Sequence, residues 1–206
     1  MKKFFALFLS LLLVLMGISA CADTGQDNNN DNNNGGGTRP PVVAASNVLV
    51  AYFSCTGTTE GIAEIIADET DGELHEIIPE DPYTEEDLDY YSGGRADQEQ
   101  ADPNARPEIA NTVENMAAYD ILFLGYPIWH GQAPKIIYTF LESYDFSGKT
   151  IIPFCTSGGS GIGGSEEDLH ALAADAEWLK GERFSGSESA QEIQEWLEDL
   201  NLNIVN

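Results

Sequence analysis

Residues 47–59 read NVLVAYFSCTGTT. An apolar run ends at Phe53, and hydroxyls clustered around one glycine take over, with no lysine among them. A continuous apolar run, rather than an alternating one, is what a strand needs when both of its faces are covered. Downstream, residues 58–70 set Ile62, Ile65 and Ile66 at helical spacing. The stretch therefore predicts a buried parallel strand, a tight polar loop and the start of a helix.

The same alternation recurs along the chain. Residues 73–78 (ELHEII), 120–126 (DILFLGY) and 150–155 (TIIPFC) read as strands, and 178–184 as a last, edge strand. Residues 134–143 and 166–176 read as helices, as does 189–200 with Ile193, Trp196, Leu197 and Leu200 in register. Strands interleaved with helices imply an α/β parallel sheet covered on both faces, a three-layer doubly wound arrangement of five strands. Residues 79–110, with Tyr90, Tyr91, Arg95 and Arg106 among acids and prolines, are expected to form a helix-containing excursion near the sheet edge.

In such folds ligands bind beyond the carboxyl ends of the strands, at a topological switch point. Three loops meet that description: SCTGTTE (54–60), PIWHGQAP (127–134) and TSGGSGIGG (156–164). In the first, Ser54, Thr56, Thr58 and Thr59 offer hydroxyls and Gly57 permits a tight turn. The helix that follows adds unpaired N–H groups and the positive end of its dipole. That is an anion cradle suited to a phosphate, although a capped helix after a turn would use the same residues. A P-loop is excluded, because GxxxxGK[ST] needs its lysine, and the first loop also lacks GxGxxG. In the second loop Pro127, Trp129 and Gly131 set a large flat aromatic at the mouth of the sheet. The third, Thr156 to Gly161, has glycines that let backbone approach a ring edge. Together they describe a site for a flat heterocycle on a phosphorylated tail.

With these residues in view, VLVAYFSCTGTTEGIAE resembles the flavodoxin phosphate-loop signature, Thr/Ser-x-Thr-Gly-x-Thr after an apolar strand. YDILFLGYPIWHGQAPKIIYTFLESYDFSGKTIIPFCTSGGSGIG is similar to the second and third flavin loops of a bacterial flavodoxin-like family. The resemblance spans about residues 47 to 205. It implies a flavodoxin-like sheet of order 2-1-3-4-5 and FMN as cofactor. Ser54, Thr56, Gly57, Thr58 and Thr59, with Cys55 in the same loop, would hold the phosphate. Pro127, Ile128, Trp129, His130 and Gly131 would flank the isoalloxazine, and Thr156, Ser157, Gly158 and Gly159 would meet its pyrimidine edge. Cys55 stands where relatives often carry a basic residue and Thr58 where they often carry Asn, which lowers the expected affinity. The strand order also separates Cys55 from Cys155 by an intervening strand. Their α-carbons should lie about 9–10 Å apart, beyond disulfide reach, so free thiols are expected.

The N-terminus has a different purpose. Lys2 and Lys3, an apolar stretch to Met16 and then small residues match a secretory signal peptide over residues 1–20. Ile18-Ser19-Ala20-Cys21 resembles a bacterial lipobox, which implies a lipidated Cys21. Residues 21–46, rich in Asn, Asp and Gly, have almost nothing apolar to bury and read as a flexible tether to a domain at 47–206. The chain carries 9 Lys+Arg against 35 Asp+Glu; losing Lys2 and Lys3 leaves 7 against 35, a net charge of −28. Nucleic acid and direct adsorption to anionic lipid are disfavoured, since both need basic patches. The membrane is thus expected to be reached only through the lipid anchor, and the redox partner or small acceptor to dock transiently. His75, His130 and His170 show no metal-ligand spacing, so no metal is expected. Three functions fit: a tethered electron carrier, an NAD(P)H-dependent FMN oxidoreductase acting on quinones or other flat acceptors, or a flavin-free binding module.

Overall fold

The computed structural model describes residues 47–202. The signal segment, Cys21 and the tether lie outside the described residues. The hydrophobic run at the start of the domain forms β1 (Val48–Tyr52), fully buried. It lies between β2 (Glu73–Glu76) and β3 (Ile121–Pro127), both parallel to it. Beyond β3 comes β4 (Thr150–Thr156), also parallel. With β5 (Glu177–Trp178) parallel on the far side of β4, the sheet order is 2-1-3-4-5, as expected.

Successive side chains of a strand point to opposite faces, and β1 shows why its run is unbroken. Leu49, Ala51 and Phe53 join one core with Leu122, Leu124, Tyr126, Ile136, Ile137 and Phe140. Val48, Val50 and Tyr52 join the other with Phe123, Ile152, Phe154, Ile62, Ile66 and Ile193. The second layer comes from α1 (Thr58–Thr70) and α5 (Ala190–Asp199). The opposite layer includes α3 (Lys135–Glu142) and α4 (Gly163–His170). Ser189 opens α5 with a reciprocal capping box to Glu192.

The structure corrects two expectations. The edge strand foreseen over 178–184 is split into β5 (Glu177–Trp178) and β6 (Glu182–Phe184), both paired with β4. The cause lies in β4. Leu179 N–H donates to Ile151 O, and the next rung of a parallel ladder would be the N–H of residue 153 donating to Leu179 O. That residue is Pro153, which has no N–H. The ladder lapses there and resumes at Phe154↔Glu182. The helix foreseen over 166–176 instead starts at Gly163, inside the glycine-rich stretch, and ends at His170.

The excursion after β2 contains α2 (Arg95–Ala101). Arg95 pairs with Asp81 and with Glu99 and lies 3.9 Å over the Tyr83 ring, so its role is internal to this segment. An antiparallel bridge between Pro79 and Ile109 closes the segment, with Asn111 Nδ2 donating to Glu76 O.

Candidate functional site

The loops after β1, β3 and β4 meet at one cavity of about 440 Å³ at the carboxyl edge of the sheet. Of the residues the sequence nominated, Ser54, Cys55, Thr56, Thr58, Thr59, Pro127, Ile128, Trp129, His130, Thr156, Ser157 and Gly158 line it. Gly57, Gly131 and Gly159 do not; they shape the loops around it.

The first loop is built to leave donors free. Gly57 takes φ 80°, a left-handed conformation suited to glycine, and caps α1 without any side-chain cap. Its own N–H donates to Ser54 Oγ at 3.1 Å, and Thr56 and Thr58 hydroxyls lie 3.3 Å apart. Among the described residues, the N–H groups of Thr58, Thr59 and Glu60 have no protein acceptor, as the start of an uncapped helix leaves them. The Thr59 hydroxyl is not one of these free groups. It meets the Thr156 hydroxyl at 2.8 Å with both residues buried, and so ties the first loop to the third. The cradle also bears an acid: Glu60 lies in the first turn of α1 and accepts from Tyr52 OH at 3.3 Å. Burial, Glu76 and Glu60 push the Tyr52 phenol up, so it stays a donor.

The second loop is a two-residue turn. Trp129 and Gln132 exchange backbone hydrogen bonds of 2.9 Å each. Between them His130 (φ 50°) and Gly131 (φ 80°) are both left-handed, the signature of a type I′ turn. Trp129 is half-buried and packs edge-on against Phe53 (5.5 Å) and Tyr83 (5.2 Å). It is thus as much a packing residue as a wall of the cavity. His130 turns outward, stacks on Tyr90 with ring centroids 4.3 Å apart, and places Nε2 at 2.7 Å from Asp97 Oδ1. A carboxylate only accepts, so the proton is on Nε2. Asp97 also accepts from Gly93 N–H, and that bond first, then His130, holds its carboxyl below the usual range.

In the third loop Ser157 Oγ accepts from Gly159 and Ser160 N–H groups at 3.1 and 2.8 Å, closing a small turn. A Cβ added at Gly158, Gly159 or Gly161 would meet nothing within 4 Å. These glycines leave space rather than fill it. Ser185 completes the rim from the segment after β6, where Glu188 gathers the N–H groups of Ser185, Gly186 and Ser187. Gly186 approaches so closely that a Cβ there would stand 2.2 Å from Thr58 Cγ2.

Sequence reasoning missed Leu88, Tyr90, Ala96, Asp97 and Ser185 as lining residues. For Tyr90, within the excursion, an aromatic amid acids is the available signal. Cys55 and Cys155 are both free thiols. Cys55 is exposed at the cavity whereas Cys155 is buried. Partial desolvation by the packed loops, opposed by Arg95, still pushes the Cys55 thiol up to about 11, and full burial brings Cys155 to about 12.

The family whose model matches the chain is Flavodoxin, over residues 47–200. The chain has no match among curated proteins. Among solved structures it is similar to a protein described as a flavoprotein from Bacteroides eggerthii, at 42% identity and a TM-score of 0.72, covering 76% of this chain and 99% of that one. A counterpart from Bacteroides uniformis is similar at 41% identity and a TM-score of 0.71, covering 75% and 99%. A flavoprotein in complex with FMN from Lactobacillus acidophilus shares the fold at 24% identity and a TM-score of 0.58, covering 74% and 99%. With the sheet order, the three loops and this match over most of its length, the chain belongs to the flavodoxin family.

Proposed function

We propose that the domain binds FMN and serves as an electron-transfer protein tethered to the outer face of a membrane through lipidated Cys21. The observation that supports it is a single cavity, of a size that suits a cofactor, with unpaired helix N–H groups at one end and Trp129, Ile128, His130 and Tyr90 at the other. The donor set fits the group. Thr58 and Thr59 N–H groups with the Ser54, Thr56 and Thr58 hydroxyls would hold the phosphate; the loops at 127–131 and 156–159 would hold the ring system. The open space at Gly158 and Gly159 leaves the third loop's backbone accessible. When bound, FMN supplies the redox chemistry. The chain's part is to hold it, shield it and set its electrostatic surroundings. Among the described residues no Lys or Arg lines the cavity, and the domain is strongly acidic, so added negative charge on the cofactor is disfavoured and a low potential follows. A partner with a basic face would dock transiently.

One observation supports a second reading, an NAD(P)H-dependent FMN oxidoreductase acting on quinones or other flat acceptors. His130 stands at the rim with an anionic partner, Asp97, an arrangement that can hold or release a proton. The experiment is an absorption spectrum of the purified protein after incubation with FMN and desalting. Bands near ~370 and ~450 nm, those of an oxidised flavin, are the expected result. A folded but colourless protein would refute the reading and leave a flavin-free binding module. Turnover of NAD(P)H with a quinone separates carrier from enzyme.

A further inference from the structure

The excursion that the sequence left without a role supplies a fixing point for the second loop. On α2, Asp97 and Gln100 lie three residues apart and share a face. Asp97 takes His130, as described. Gln100 is only 8% exposed, and it is engaged on both ends of its amide. Nε2 donates to Trp129 O and to Ala133 O, each at 3.1 Å. Oε1 accepts from Lys135 N–H at 3.2 Å. These three partners straddle the His130–Gly131 turn. Trp129 O already accepts from Gln132 N–H within the turn, whereas Ala133 O and Lys135 N–H, both on buried residues, have no other protein partner among the described residues and would be costly to leave unpaired. The bond to Lys135 also fills a gap: α3 has Pro134 at its N-cap and no side-chain cap of its own. Gln100 itself does not line the cavity.

We propose that Gln100 is the positioning residue for the ring end of the cavity, fixing the 128–134 loop through three hydrogen bonds and so setting affinity for the flat heterocycle without touching it. This rests on the FMN reading given above. The test compares Gln100→Leu, which removes all three bonds, with Gln100→Glu, which keeps the acceptor for Lys135 but sets a carboxylate against two carbonyls. Flavin fluorescence would give the Kd of FMN and of riboflavin, which lacks the phosphate. Amide hydrogen exchange on ligand-free protein would report the loop directly.

In both variants the Kd is expected to rise about 10-fold or more, as loss of hydrogen bonds of this kind implies. FMN and riboflavin should be affected by the same factor. Trp129 and Gln132 amides should exchange faster while α1 stays protected. Protonation would return a donor to the Glu variant, so its affinity should recover relative to the Leu variant as pH falls, which loss of packing alone would not produce. Unchanged loop protection in a folded variant would overturn the proposal, as would an FMN loss with riboflavin affinity intact. Should wild-type protein bind no flavin, the FMN reading fails, and the exchange data still decide whether Gln100 holds the loop.

Discussion

The bond between Thr59 and Thr156 gives the sharpest test of how the cradle is held. Their hydroxyls meet at 2.8 Å across 97 residues of chain, and the residues are 1% and 5% exposed. Thr59→Val or Thr156→Val replaces a hydroxyl by a methyl in the same place, so the shape of the site changes little. What changes is that the surviving hydroxyl is stranded. Leaving a buried hydroxyl unpaired costs about 1–3 kcal/mol, whereas replacing both partners by apolar groups of the same shape is nearly neutral. Each single variant should therefore lose about 1–2 kcal/mol of unfolding free energy, and the double variant should lose less than the sum. Their coupling should be about 1 kcal/mol. Urea titrations followed by circular dichroism on ligand-free protein measure all three by linear extrapolation. Additive losses, within about 0.3 kcal/mol, would refute the reasoning. That result would mean the stranded hydroxyl finds water in the cavity, and the two loops are not tied through this pair.

Three further outcomes are expected. Gly186→Ala combines φ +91° with a Cβ 2.2 Å from Thr58 Cγ2; it should displace the start of α1 and weaken FMN by about 10-fold or more, measured by fluorescence titration. Partial burial alone would raise the Glu188 carboxyl, but hydrogen bonds from Ser185 and Gly186 prevail and bring it down to about 2 from an ordinary 4.5. A depressed folded-state value stabilises above pH 4.5 and ceases to do so as pH falls through 2. The stability gap between wild type and Glu188→Gln should therefore be full at neutral pH and close between about pH 4.5 and 2, in urea midpoints read across that range. Finally, the Cys55 thiol, raised to about 11, should react slowly with iodoacetamide at pH 8 compared with a free thiol of ordinary pKa near 8.5; mass spectrometry gives the rate, and rapid labelling would contradict the desolvation assigned to it.

The three layers could be read from β1, β3 and β4 because each is an apolar run, and only a strand covered on both faces needs one; the strand order rested on the resemblance to flavodoxins. The three loops were legible for a related reason: nothing in a core calls for SCTGTT or TSGGSG. The rim was harder. Asp97, Leu88 and Tyr90 reach the cavity from a segment with no apolar period, and Gln100 owes its role to backbone groups 29 to 35 residues away. Contacts of that kind leave no local pattern. The split of the edge strand was, by contrast, written in TIIPFC: Pro153 sits in the middle of β4, and its missing N–H must leave one rung empty. The start of α4 was obscured because glycine disfavours helix, yet Gly163 and Gly164 open one.

That missing rung has a bearing on how copies of the domain behave at high local density. An exposed sheet edge is a template on which another chain can lay down a strand. Here one margin is offered only as pieces of two and three residues, interrupted where Gly181 crowds the Pro153 carbonyl. The other margin is a four-residue strand with glutamates at both ends, its exit held by Asn111. Neither side provides a row long enough to recruit a neighbour, and a chain of net charge −26 repels its own kind besides. The proline that breaks the ladder thus helps keep crowded neighbours separate.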